Sequence, residues 1–158
     1  MAVAGKFLRT LKKLLRTSYH DNAASMSGYN SALRFLLKYC ITGQFPDYGI
    51  DYSRVLVSNG DLYSEPAVAK ADTEAVTFTW KNVIMQGVSP DDKAILVVYC
   101  EALNRSVFSI TDVSRTANTA TIPVARFKGF DVHTWLAFIS ANGEEASDSV
   151  YAGKVTVT

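Results

Sequence analysis

At 158 residues the chain has room for one ordinary domain, or for a domain with an arm. An apolar content of 48% with 20% charged residues excludes a disordered chain, and no apolar run approaches the roughly 20 residues that span a bilayer. The net charge of +1 is unevenly spread: residues 1–46 hold seven basic residues against Asp21 alone, a net +6, and residues 47–158 hold nine basic and fourteen acidic residues, a net −5. Such halves attract each other, within a chain or between copies.

The first residues, MAVAGKFLRTLKKLL, lack the continuous apolar stretch of a secretory signal, because basic residues interrupt it. A cytoplasmic or particle-associated address is expected. Two cysteines, Cys40 and Cys100, are too few for a disulfide framework and are expected as buried free thiols.

The spacing predicts an amphipathic helix over 5–19. Phe7, Leu8, Leu11, Leu14, Leu15 and Ser18 recur at helical intervals, and Lys6, Arg9, Lys12, Lys13 and Arg16 fill the other side. The basic side can be read as an anion-binding face for nucleic acid or a membrane surface. It can equally be the solvated side of a helix that packs by its leucines. The solvated side is favoured, since no aromatic residue interleaves the basic positions for base stacking.

His20-Asp21-Asn22 breaks the pattern, and Ser25 or Ser27 can cap a second helix over 28–42. Its apolar stripe is Tyr29, Leu33, Leu36, Leu37 and Cys40, with Gly43 as the residue after the helix and Pro46 as a stop. The two helices are expected to form a helical hairpin, the arm, over 1–46. Residues 47–65 are expected to hold a short strand with Tyr52, Val55 and Val57, a turn at Ser58-Asn59-Gly60-Asp61, and a linker.

From residue 66 onward, short strands follow one another without helical pattern. An edge strand is expected near 67–69. Val76, Phe78 and Trp80 alternate with threonines, 94–100 is apolar on both faces, and strands follow at 106–110 and 119–124, where Pro123 marks an edge. Residues 131–157 read as a closing hairpin, turned at Asn142-Gly143. The fold class is therefore α+β: the helical hairpin, then an antiparallel β-sandwich over 66–158.

In a lone sandwich each strand hides one face only. Two strands break that rule: Leu96 and Val98 oppose Ile95, Val97 and Tyr99, and Leu136 and Phe138 oppose Trp135, Ala137 and Ile139. The expectation is that the arm, through Leu11 and Leu15, covers an outer patch made by Leu96, Val98, Leu136 and Phe138, from the same chain or a neighbouring copy. Burying four such side chains is worth on the order of 6–12 kcal/mol before entropy is subtracted.

Little chemistry is written in the chain. His20 is expected in a solvated turn and His133 as a structural strand residue. No third histidine or paired cysteine stands at zinc spacing, and no nucleophile elbow, phosphate loop or dinucleotide glycine pattern is present. Asp91-Asp92 and Glu144-Glu145-Asp148 lack calcium-loop spacing and are expected as solvated turn charges. No cofactor or metal is implied, and Asn104-Arg105-Ser106 is a chance glycosylation match.

Two resemblances follow from these residues. Trp80, the run Trp135-x-Ala137-x-Ile139-x-Ala141 before Asn142-Gly143, and Ser147 and Ser149 resemble the fibronectin type III and immunoglobulin-like sandwich pattern. Across most of the chain, Gly28-Tyr29-Asn30, Ile50-Asp51-Tyr52-Ser53-Arg54-Val55-Leu56-Val57-Ser58, Gly60-Asp61-Leu62, Asp92-Lys93-Ala94-Ile95-Leu96-Val97-Val98-Tyr99, His133-Thr134-Trp135 and Ser147-Asp148-Ser149-Val150-Tyr151-Ala152-Gly153 resemble an uncharacterised family of small Bacteroidota proteins. Such proteins usually begin with a further glycine-rich, basic segment, so a shortened member or a fragment is expected. The resemblance implies no activity and no catalytic residue.

The function expected is that of a non-enzymatic assembly protein. It would associate with itself or with a protein partner in a surface appendage, a virion or an injection-type particle. A ligand- or glycan-binding module using the loops 82–92, 101–105 and 126–131 is the alternative, with Phe127 and Phe130 beside Arg126 and Lys128 as its best feature. Nucleic-acid or membrane-surface binding through the basic helix is a third.

Overall fold

The computed structural model describes residues 2–19, 27–81 and 88–158. His20, Ser25 and part of the 82–92 loop lie outside the described residues. The architecture is α+β, with three layers: helices, a four-stranded sheet and a three-stranded sheet.

Three α-helices are present: α1 (Ala2–Arg9), α2 (Lys12–Ser18) and α3 (Gly28–Tyr39). The single helix expected over 5–19 is two segments. At the break, the Thr10 and Leu11 amides donate to the Phe7 and Leu8 carbonyls at 3.1 and 3.0 Å, three residues back instead of four. The Thr10 hydroxyl donates to the Phe7 carbonyl (2.7 Å) and lies 2.6 Å from the Ser106 hydroxyl. A β-branched residue whose hydroxyl competes for the backbone tightens the turn there. The apolar stripe survives the break: Phe7, Leu8, Leu11, Leu14, Leu15 and Ser18 are all buried.

Ser27 caps α3, accepting from the Asn30 amide at 3.1 Å. The helix stops at Tyr39, earlier than expected, because the chain turns into a hairpin, β1 (Ile41–Gln44) and β2 (Asp47–Ile50). The Asp51 amide closes the hairpin base on the Cys40 carbonyl at 2.7 Å. Gly43 therefore serves this hairpin at φ +81°, not a helix end, and the hairpin runs across the expected boundary at residue 46. Leu37, placed in the apolar stripe by spacing, is 39% exposed, and Tyr39 beside it is 51% exposed.

The strand expected around Tyr52, Val55 and Val57 is absent. Tyr52–Arg54 is a 3-10 turn, and Val55 and Val57 are buried without a strand. Serine hydroxyls replace the ladder. Ser18 Oγ donates to the Val57 carbonyl (2.8 Å), Ser58 Oγ to the Ser147 carbonyl (2.7 Å), and the Val57 amide to Ser149 Oγ (2.9 Å). This buried clasp ties the arm and the 57–58 segment to the residues just before the last strand of the sandwich.

The sandwich has seven strands. β3 (Ala67–Asp72), β4 (Ala75–Trp80) and β7 (Thr119–Pro123) form one sheet in the order β3-β4-β7. β5 (Lys93–Cys100), β6 (Arg105–Ser114), β8 (Asp131–Ile139) and β9 (Val150–Thr156) form the other in the order β6-β5-β8-β9. All pairings are antiparallel, and Pro123 ends an edge strand as expected. The tight closing hairpin is not formed as expected. β8 and β9 do pair, but residues 140–149 loop between them, because Ser147 and Ser149 are held in the clasp.

The two-faced strands hold two cores. Ile95, Val97, Tyr99, Trp135, Ala137 and Ile139 pack against the arm leucines, Phe7 and Tyr52. Leu96, Val98, Leu136 and Phe138 pack instead against Val76, Phe78, Trp80 and Ile122 of the other sheet. The face expected for the arm is thus the inter-sheet core, and the arm takes the opposite face within the same chain. The pattern required two covers. It could not tell which face met which, because both faces are equally apolar.

Candidate functional site

With its apolar side spent on the sheet, the arm turns its charged side outward. Lys6, Arg9, Lys12, Lys13 and Arg16 are all exposed, as are Arg34 and Lys38 on α3. Among the described residues none of the seven lies within ion-pair distance of a carboxylate. Aromatic rings absent from the linear pattern join them in space. Lys12 Nζ stands 5.7 Å from the Tyr29 ring centre, and Lys38 Nζ 5.3 Å from that of Tyr39. The adjoining hairpin adds Phe45, 83% exposed, with Tyr48. Leu11 and Leu15, expected at the arm interface, are fully buried on the inner side. Leu96, Val98, Leu136 and Phe138 are not part of that interface.

A second candidate lies at one end of the four-stranded sheet, where β5 ends and β8 begins. Glu101, Ala102, Gly129, Phe130, Asp131, His133 and Lys154 enclose a cleft of about 370 Å³. Tyr52 donates to Glu101 Oε2 at 2.8 Å, its ring stacks on His133 at 4.1 Å, and His133 Nδ1 lies 2.8 Å from the Tyr151 hydroxyl. Burial and the Glu101 hydrogen bond push the Tyr52 phenol far up. Burial lowers the His133 imidazole, with Glu101 acting the other way, so it is held neutral near pH 7. The set offers hydrogen bonds and ring faces to a ligand. It contains no activated nucleophile.

The loops expected to share one binding surface do not. Glu101 and Ala102 of one loop and Gly129, Phe130 and Asp131 of another border this cleft, while Ser89 and Asp92 lie at the opposite end beside Ser140 and Asn142. Antiparallel pairing of Lys93 with Ile139 and of Tyr99 with His133 makes that separation unavoidable. Phe127 is fully buried in the inter-sheet core and Phe130 partly so, while Arg126 and Lys128 are exposed.

Asp92 is not a solvated turn charge. It is buried and accepts from Arg115 Nε and Nη2 at 3.2 and 2.9 Å. The Arg115 guanidinium lies 4.0 Å from the Phe138 ring centre. Arg115 gave no signal in the sequence, where it sits between polar residues. Glu65, equally silent, is 2% exposed. Asp91, Glu144 and Glu145 are exposed, and Asp148 accepts from Asn59 Nδ2 (2.9 Å) and the Gly60 amide (3.2 Å). Among the described residues no group of three His, Cys, Asp or Glu side chains could hold a metal, and no helix is long and apolar enough to cross a membrane. Cys40 and Cys100 are buried free thiols, and burial, with Asp51, pushes the Cys40 thiol up to about 11.

A helix-covered β-sandwich with a basic outer face is the class these features define. The chain belongs to a family of unknown function, DUF6266, whose family model matches residues 1–153. Comparison with curated proteins gives no match. Among solved structures, the FN1–FN3 domains of chicken CNTN1 are similar at 7% identity and a TM-score of 0.43, covering 63% of this chain and 33% of that one. The chain thus spans about a third of that structure's length.

Proposed function

We propose that this protein is a non-enzymatic assembly module, in which the arm acts as a helical hairpin presenting a basic, aromatic-flanked face to an acidic protein surface. The carrying observation is the division of the arm: Leu11 and Leu15 fully buried within the chain, and seven outward cations without a carboxylate partner among the described residues. The acidic remainder of a second copy is the complementary surface at hand, at −5 against +6. Basic arm to acidic sandwich is a head-to-tail contact, which builds rings or open filaments rather than a two-fold dimer. A surface appendage, a virion or an injection-type particle is the kind of structure it would serve.

Because the leucines are used internally, the association is electrostatic and screened by salt. Light scattering coupled to size exclusion is expected to show an oligomer at low salt that dissociates at high salt. The exposed triple substitution Lys12→Glu, Lys13→Glu, Arg16→Glu should abolish it. One mass at both salts, unchanged in the variant, would overturn the reading. Salt-sensitive binding to a nucleic acid or an anionic vesicle, without self-association, would transfer the same face to the third function.

The stacked Tyr52–His133 pair beside Glu101 favours a second reading, a ligand-binding module at the sandwich-end cleft. Glu101→Gln would then weaken ligand binding and leave the oligomer intact.

A further inference from the structure

The hairpin β1–β2 carries Phe45 at its turn, 83% exposed, with the Tyr48 ring 6.4 Å away between centres. A single exposed apolar residue is ordinary. Phe45 stands out because the same molecule holds a cleft that suits its ring. The cleft, about 560 Å³, opens at the edge of the three-stranded sheet and is lined by Tyr63, Pro66, Ala67, Val68 and Trp80, with Lys81 beside them. The Trp80 indole N–H donates to the Arg115 carbonyl at 2.8 Å, so Trp80 offers only its ring. Glu65 also borders the cleft, but it is buried, with no donor to its Oε1 and with the Arg115 charge acting on it. The wall that a visitor can reach is mostly apolar, as an aromatic ring requires.

Hairpin tip and cleft cannot meet within one chain. Tyr52, two residues past β2, stacks on His133 near the start of β8 and donates to Glu101 just after β5. The hairpin base therefore sits at that end of the four-stranded sheet. The cleft lies at the other end, where Trp80 bonds Arg115 and the Arg115 amide donates to the Asp92 carbonyl just before β5. The eight residues of β5 separate the two ends by about 25 Å, while a four-residue strand of the hairpin reaches about 13 Å. Between copies the two can meet, and the contact is then head-to-tail. The charges beside them match as well. Asp47, two residues past Phe45, and Lys81 are both exposed, and neither makes an ion pair among the described residues.

We infer that Phe45 of one copy inserts into the Val68–Trp80 cleft of the next, with Asp47 meeting Lys81. This rests on the head-to-tail self-association proposed above and supplies its anchor. The basic face draws copies together, and the aromatic plug fixes how they dock.

Two variants and their mixture test it, by light scattering coupled to size exclusion at low salt. Phe45→Ala removes the plug, and Val68→Trp fills the cleft mouth. Both positions are exposed, Val68 at 65%, so neither change disturbs a core. Each variant alone should associate at least about tenfold more weakly, the loss expected for one buried phenylalanine. Mixed in equal amounts, at a concentration where each alone is a monomer, they should form a one-to-one pair and nothing larger. The Val68→Trp copy keeps its plug and the Phe45→Ala copy keeps its cleft, and misfolded variants could not complement each other in this way. Assembly lost in the Lys12, Lys13, Arg16 triple variant but unchanged in both single variants would overturn this inference and leave the basic-face reading standing. Single variants that weaken but do not recover on mixing would overturn it too. A monomer at every salt concentration would overturn both.

Discussion

Trp135 and Leu136 are joined by one peptide bond and lie in separate cores. The Trp135 ring faces the arm, 6.0 Å from Phe7 between ring centres, while Leu136 faces the opposite sheet, in the core that holds Phe78 and Trp80. The four-stranded sheet is thus a shared wall, and the two positions report on different layers. Leu136→Ala should cost about 2–5 kcal/mol and Trp135→Ala about 3–5 kcal/mol. Hydrogen exchange should separate them: Trp135→Ala frees the amides of the helices first, and Leu136→Ala lowers protection in sheet and helices together.

Arg115 and Asp92 form a buried pair at 0% and 3% side-chain exposure. Arg115→Ala leaves a buried carboxylate without its cation and should destabilise by about 3–5 kcal/mol in urea unfolding. The double variant Asp92→Leu with Arg115→Met should recover most of that loss, because apolar replacements of similar volume remove both desolvation costs together. A double variant as unstable as Arg115→Ala alone would show that Arg115 acts through the Tyr63 carbonyl and the Phe138 ring instead.

Gly28 begins α3 and packs tightly against α2. A Cβ at this position would stand 2.2 Å from the Leu15 carbonyl oxygen, a backbone atom that no rotamer change moves aside. Alanine normally gains up to about 1 kcal/mol over glycine within a helix. Here the clash should win, and Gly28→Ala should lower stability by about 1–3 kcal/mol. A midpoint unchanged or raised in denaturant would show that α3 can move away from α2 freely.

His133 is lowered on folding, chiefly by burial, with Lys154 acting the same way and Glu101 and Asp131 opposing. The unfolded chain therefore binds the proton more readily than the folded one. The contribution is complete above the unfolded value of about 6.5, and it is lost as pH falls from there through the folded value. Stability measured from pH 7.5 down to pH 5 should decline, and His133→Phe should flatten that decline while keeping a ring on Tyr52. An equally steep decline in the variant would assign it to another group.

Much of the fold was legible in order of chain. Helical spacing put Phe7 through Ser18 on one buried side, alternation put Val76, Phe78 and Trp80 inward, and the doubled apolar faces of β5 and β8 announced that the sheet must be covered twice. Those are local consequences of periodicities of 3.6 and 2. The segment 47–65 was not legible, because its backbone groups pair with serine hydroxyls and with chain some 90 residues away.

The sequence by itself determined the buried helical stripe, most strands of the sandwich, the two-cover requirement and the charge division between arm and sandwich, since each depends on residue type at fixed spacing. Only tertiary structure decided which face the arm covers, that Asp92 is buried by a distant arginine, that the three expected loops stand at opposite ends, and that Glu65 is left without a donor. Each of those depends on which distant segments meet. That choice is made by packing and by the satisfaction of buried polar groups over the whole chain, which no local pattern encodes.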